Sequence, residues 1–139
     1  MKLTIGRYLS VEHSDRGVKV VRFAQADLRP QLDAPGEIEV CELFQELRDG
    51  GLTGLGPGDG LVLNLGGIEY FPSAFLHFLL RVRRSVRDRQ GWLVLCHLGS
   101  EQRQILELTR LLGLFNIADN EEGALRQGRI GSMESAIRS

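Results

Sequence analysis

Ser73 sits in the stretch Phe71-Pro72-Ser73-Ala74-Phe75, between an apolar strand and an amphipathic helix. Two chemistries suit a hydroxyl there. The first is capping. Pro72 disfavours the α conformation at Phe71, so the chain arrives extended. Ser73 then reads as the N-cap, its oxygen accepting from an amide one turn in. The second is phosphorylation. A helix N-terminus favours negative charge and offers free N–H groups, so a phosphate on Ser73 would be tolerated by its own helix. It would add about −1.5 to −2 charges to a surface loop, enough to repel an acidic partner or break a snug apolar contact. A nucleophilic role has less behind it. No glycine-rich elbow of the GxSxG kind surrounds Ser73, and its bulky neighbours would crowd an acyl intermediate. No catalytic carboxylate pair stands out. The chain is therefore expected not to be an enzyme.

The other reactive residues are scattered. His13, His77 and His97 have no second ligand type at metal spacing, so no metal is expected. His77 falls off the apolar stripe of its helix and should be exposed. His97 ends an apolar strand, where it could face a functional surface. Gly54, Gly56, Gly58 and Gly60 punctuate GLGPGDG, but a phosphate loop needs a strand before it and a helix after it. Here that order is reversed and the GK[ST] ending is missing. The stretch reads as a flexible loop from helix to strand, and no cofactor is expected. Cys41 and Cys96 lie far apart among apolar neighbours and read as reduced core thiols.

Charge is distributed unevenly. Arg81, Arg83, Arg84, Arg87 and Arg89 face a single acid, Asp88, in the helix after Ser73. Upstream, Asp33, Glu37, Glu39, Glu42, Glu46 and Asp49 stand against Arg48 alone. The basic helix reads either as a solvated face or as a docking face for an acidic partner. The asymmetry would also orient self-association, so a homodimer stays open. Over 139 residues the net charge is −1, with 42% hydrophobic and 25% charged residues. That balance gives no general reason to expect nucleic acid. No apolar run approaches the ~20 residues of a membrane span, and no apolar leader opens the chain. The expectation is a cytoplasmic protein without nucleic-acid or membrane partners.

The elements that must position these residues follow from patterning. Residues 7–13 and 18–23 are rich in β-formers and are joined by 14–17, with Gly17 suited to positive φ, which predicts a β-hairpin. Residues 27–36 form a loop broken by Pro30 and Pro35. A helix is predicted from about 37 to 49, with Ile38, Cys41, Phe44 and Leu47 at helical spacing. Residues 61–65 and 92–98 are continuous apolar runs, as in strands covered on both faces. Between them a helix runs from Ser73 to about Gln90 on a stripe of Phe75, Phe78 or Leu79, Val82 and Val86, stopped by Gly91. A further helix is predicted from a Ser100 cap to Gly113, carrying Ile105, Leu108 and Leu111 or Leu112. A short strand at 114–119 and a turn or helix from 121 follow. The small, polar tail beyond 128 carries Ile130, Met133 and Ile137 at helix-like spacing. Strands and helices alternate after the hairpin, which predicts a single α/β domain with a mixed, mainly parallel sheet of four to five strands flanked by helices. Neither an internal repeat nor a domain linker is visible.

In this order, LVLNLGGIEYFPSAFLHFLLRVRRSVRDRQGWLVLCHL resembles the strand, D-S-S/A-G-L turn, helix and strand of the STAS domain family. EQRQILELTRLLGLFNIADNEEGAL is similar to that family's following helix, short strand and ending. The resemblance spans roughly 8–125 and implies a domain over 1–125 with a tail or short helix over 126–139. It also implies a non-enzymatic antagonist of an anti-sigma factor. Such an antagonist captures a serine-kinase anti-sigma factor when unphosphorylated and is released by phosphorylation at the start of the helix. Alignment through Leu76 puts Ser73 on the phosphorylated serine. Pro72 stands where the family usually has Asp, Phe75 replaces the usual Gly, and Asn64 replaces an Asp common in the preceding strand. The working surface implied is Tyr70, Pro72, Ala74, Phe75, His77, Arg81 and Arg84, with Tyr70 and Phe75 as apolar anchors. Two other readings stand beside it. One is a STAS scaffold or regulatory module that binds independently of phosphorylation. The other is a small-molecule or nucleotide binder using a pocket near His97 and Ser73.

Overall fold

The computed structural model describes residues 2–5, 9–13, 17–23, 44–66 and 73–128, with Lys2–Ile5, Ser73 and Ala74 described by their backbone alone. Among the described residues six strands form one sheet in chain order: β1 (Lys2–Ile5), β2 (Leu9–His13), β3 (Val18–Phe23), β4 (Gly60–Asn64), β5 (Trp92–Cys96) and β6 (Asn116–Ala118). β1–β2 and β2–β3 are antiparallel, and the remaining three pairings are parallel. The expected α/β plan holds. The first strand is an addition to the four or five expected. It pairs along the whole of Lys2–Ile5 with His13–Ser10. Gly17 takes the expected positive φ, 74°, and residues 14–16 of the link lie outside the described residues.

Alternation along the strands separates two cores, because successive side chains point to opposite faces. Leu9, Val11, Val21, Leu61, Leu63, Leu93 and Leu95 face one way. Helix α1 (Ser73–Asp88) covers that face with Phe75, Phe78, Leu79, Val82 and Val86, all essentially fully buried. Helix α2 (Ser100–Leu108) adds Leu106, and a helical stretch at 44–52 adds Phe44, Leu47 and Leu52. Val18, Val20, Val62, Val94 and Cys96 face the other way, under Ala124 of the helical segment α3 (121–128). Both faces of β4 and β5 are thus apolar, which is why their sequences run without alternation. Each fully buried branched or aromatic side chain contributes about 1.5–3 kcal/mol.

Helix ends account for most departures from the expected boundaries. α1 begins at Ser73 itself, so position 73 is the first helical residue rather than the cap before it. At its far end Gly91 N–H bonds the Val86 carbonyl and Gln90 N–H bonds that of Arg87, while Gln90 takes the left-handed conformation at φ 60°. This is a Schellman closure with Gln90, not Gly91, in the left-handed position. Gly91 is needed for a different reason: a Cβ there would lie 2.7 Å from the Asp59 carbonyl. α2 closes the same way through Arg110 at φ 62°, so it ends at Leu108 and not at Gly113. Its N-cap is Gly99, without a side-chain cap bond, rather than Ser100. Leu108, expected in the apolar stripe, is 75% exposed, and Leu106 takes the core position.

The GLGPGDG stretch is a helix-to-strand loop, tied down on several sides. Gly56 N–H donates to Asp59 Oδ2, Gly58 N–H to the Gln90 carbonyl, and Trp92 Nε1–H to the Gly58 carbonyl. Gly54 and Gly58 both stand at φ 84°, which glycine alone adopts freely. Cys41, the loop at 27–36, Tyr70, Pro72 and the tail beyond 128 lie outside the described residues.

Candidate functional site

α1 divides into faces by its 3.6-residue repeat. Phe75 points inward with the stripe, stacked on Phe78 at 5.4 Å and edge-on to Phe23 at 5.8 Å. Phe75 carried two expectations, a place in the apolar stripe and a role as surface anchor; the first holds and the second is corrected, because its side chain is fully buried. The stripe through 75, 78, 79, 82 and 86 draws it inward, so it adds nothing to the surface around Ser73.

The outward face carries His77, Arg81, Arg84 and Asp88, at spacings of four, three and four residues. All four are exposed. Helical position 73 lies on the same face, one repeat before His77. The Arg81 guanidinium stands 4.1 Å above the Phe44 ring, a cation–π contact that steadies its base on the 44–52 helical stretch. α1 has no acidic residue in its first turn, so the positive end of its dipole is uncompensated by its own side chains there. Ser73, His77, Arg81 and Arg84 therefore share a face. Tyr70 and Pro72 lie outside the described residues, and Ala74 is placed by its backbone in the first turn.

A second polar arrangement, which local patterning did not reveal, lies at the carboxyl ends of the parallel strands. Arg22, Asn64, Cys96 and Ala118 are cross-strand neighbours in one row. Glu121, at the start of α3, lies over that row. Arg22 grips its carboxylate with two bonds, Nε to Oε2 at 2.8 Å and Nη2 to Oε1 at 2.7 Å, and reaches Glu12 at 3.3 Å. Asn64 Nδ2 donates to Glu121 Oε2 at 2.6 Å, while Asn64 Oδ1 accepts from Gly66 N–H at 2.8 Å. Gly66 opens the segment that leads to Ser73. The guanidinium of Arg22 and then the Asn64 amide hold the Glu121 carboxyl below its usual pKa, against partial burial. In turn Glu121 raises the pKa of Arg22. Burial, with the Glu121 carboxylate, pushes the Cys96 thiol from 9.0 up to about 12. The only sequence signal was a polar residue near the end of each otherwise apolar run, Arg22 in VKVVRF and Asn64 in LVLNL.

His97 is exposed just after β5, with a left-handed φ of 58°. It neighbours the Gly66 turn: a Cβ on Gly66 would lie 3.2 Å from the His97 Cβ. Among the described residues no three His, Cys, Asp or Glu side chains are grouped to hold a metal ion. Nor is any described helix long and apolar enough to cross a membrane.

Comparison with known proteins follows the same lines. A family model described as STAS domain matches residues 26–124. Over 64 residues the chain is 39% identical to the putative anti-sigma factor antagonist BtrV of Bordetella bronchiseptica, a match spanning 46% of this chain and 55% of that protein. Among solved structures, an anti-sigma-factor antagonist (STAS) domain protein from Planctomyces limnophilus superposes with a TM-score of 0.69. It is 21% identical, and the match covers 86% of this chain and 97% of that one. The anti-sigma factor antagonist SpoIIAA in its unphosphorylated form gives a TM-score of 0.65 at 16% identity, covering 87% and 96%.

Proposed function

The chain belongs to the STAS domain family, and from that premise we propose that it is an anti-sigma factor antagonist-like binding protein. On this reading it captures a serine-kinase anti-sigma factor through the outward face of α1, and phosphorylation of Ser73 releases the partner. The observation that carries the reading is register: position 73 begins the helical face on which His77, Arg81 and Arg84 are exposed. An acidic partner surface is drawn to those arginines. A phosphate at the head of the same face adds about two negative charges, which offset that attraction and meet the partner as repulsion. The helix tolerates the phosphate because its first turn holds no competing acid.

Burial of Phe75 supports the same reading. A phenylalanine in place of the family's glycine would obstruct a kinase only if it stood on the surface, and it is packed in the core. BtrV is named as a putative anti-sigma factor antagonist, and SpoIIAA has been solved in both phosphorylated and unphosphorylated forms. The role of each named relative belongs to that relative, and its extension to this chain is the proposal.

The test is capture from native lysate by the purified chain, with Ser73 followed by mass spectrometry in the same sample. A kinase-like partner together with phosphate on Ser73 is the expected result. The same partner with Ser73 never modified would replace the switch by a scaffold that binds regardless of phosphorylation. Absence of any kinase-like partner would remove the reading.

A further inference from the structure

We propose that the C-terminal half of α1 and the turn before β6 form a second docking surface, for an acidic protein segment carrying one apolar anchor. It extends around α1 from the Ser73 face, with which it shares Arg84 and Asp88, and does not depend on Ser73. Arg83 and Arg87, one turn apart, rim a groove of about 230 Å³ whose floor is Val86, Leu93 and Phe115. Leu114 stands at its edge, 43% exposed, in the 3₁₀ turn Leu112–Leu114. Arg83 Nε donates to the Leu114 carbonyl at 2.9 Å, which fixes its guanidinium across the groove before any ligand arrives. A cavity of about 340 Å³ adjoins it, lined by Arg83, Arg84, Arg87 and Asp88.

The chemistry of the occupant follows from these two cavities. Three guanidiniums against one carboxylate select an anionic partner. A fixed arginine binds with less ordering cost, and arginine recurs among residues that dominate binding energy. The apolar floor selects a side chain such as Leu or Phe. Only the groove of about 230 Å³ has an apolar floor, and it is smaller than the ~300–1,000 Å³ of a typical small-molecule site, while the adjoining cavity is lined by charged side chains alone, so one anchor side chain flanked by carboxylates fits better than a whole small ligand. Nucleic acid is disfavoured because the chain is net acidic overall and the basic patch is confined to one helix. β6 ends the strand order beside the groove and contributes Asn116 to its lining, so its outer edge can accept an extended segment.

The test is an amide-resolved NMR titration of the full chain with acidic peptides carrying a central Leu, Phe or Met. Polyglutamate, a single-stranded oligonucleotide and anionic lipid vesicles serve as rivals. Saturable shifts at Arg87, Leu114 and Asn116 with an apolar-centred peptide, absent with polyglutamate, are expected. Arg87 is exposed, so Arg87→Glu should leave the fold intact while weakening binding about tenfold or more. Leu114→Ser should also weaken binding, whereas His77→Ala and Ser73→Asp should not alter it. The last comparison separates failure here from failure of the Ser73 switch. The proposal is overturned by shifts confined to the His77–Arg84 face, by equal binding of polyglutamate, by tighter binding of the oligonucleotide or vesicles, by no effect of Arg87→Glu, or by no saturable shift.

Discussion

Asn64 donates its amide hydrogen to Glu121 across 2.6 Å, joining the end of β4 to the first turn of α3 although 57 residues separate them in the chain. The same Asn64 accepts from Gly66 N–H, and Arg22 clamps Glu121 from the other side. The turn that starts the approach to Ser73 is therefore braced by a carboxylate from the far end of the domain.

Glu121→Gln should cost about 1 kcal/mol at neutral pH, less than a fully buried charged hydrogen bond because Arg22 is partly solvated. The folded pKa of Glu121 is lowered, so its contribution is present above the unfolded value and is lost as the pH falls through the folded one. Denaturant melts across pH should show wild type more stable at neutrality and the gap closing below the ordinary 4.5 of a glutamate. A pH-independent gap would mean that the carboxylate charge does not matter.

Phe75→Ala should lose about 3–5 kcal/mol, enough to threaten a domain whose total stability is typically 5–15 kcal/mol. Leu108→Gln should change stability by no more than about 0.5 kcal/mol, because that leucine is already in solvent. Urea unfolding of both variants separates the two positions. Equal losses would contradict the burial assigned to each.

Cys96 should resist alkylation in the native chain at mildly alkaline pH, since the thiolate is the nucleophile and its thiol is pushed up to about 12. Mass spectrometry after iodoacetamide should find Cys96 modified only once denaturant is added. Rapid native labelling would place the thiol at the surface.

Gln90→Gly should stabilise the chain by on the order of 0.5–1 kcal/mol, relieving the left-handed strain at φ 60° less the entropy that glycine adds. Thermal melts of the variant read this directly. A lower midpoint would show that the Gln90 side chain contributes more than its conformation costs.

The sequence made legible what periodicity and apolar runs control. The α1 stripe and the strands β4 and β5 lie where the pattern put them. Local cues failed where a longer-range contact or a backbone closure decided the outcome. β1 is four residues whose pairing depends on register with β2. Leu108 had the spacing of a core residue and is exposed, while the Schellman closure at Arg110 ends the helix and Leu111 and Leu112 pack against the core from beyond it. Phe75 carried two conflicting cues, a place in the stripe and a place beside Ser73, and burial of the large ring decided between them. The grip on Glu121 had no local signature, because Arg22 lies 99 residues away.

On the proposed function, a charge at position 73 controls partner capture by the α1 face. The direct measurement is the affinity of Ser73→Ala and Ser73→Asp for the captured kinase-like partner, by titration calorimetry under one salt condition. Ser73→Ala should bind as the unmodified chain does, and Ser73→Asp at least about tenfold more weakly. Equal affinities for the two variants would contradict it.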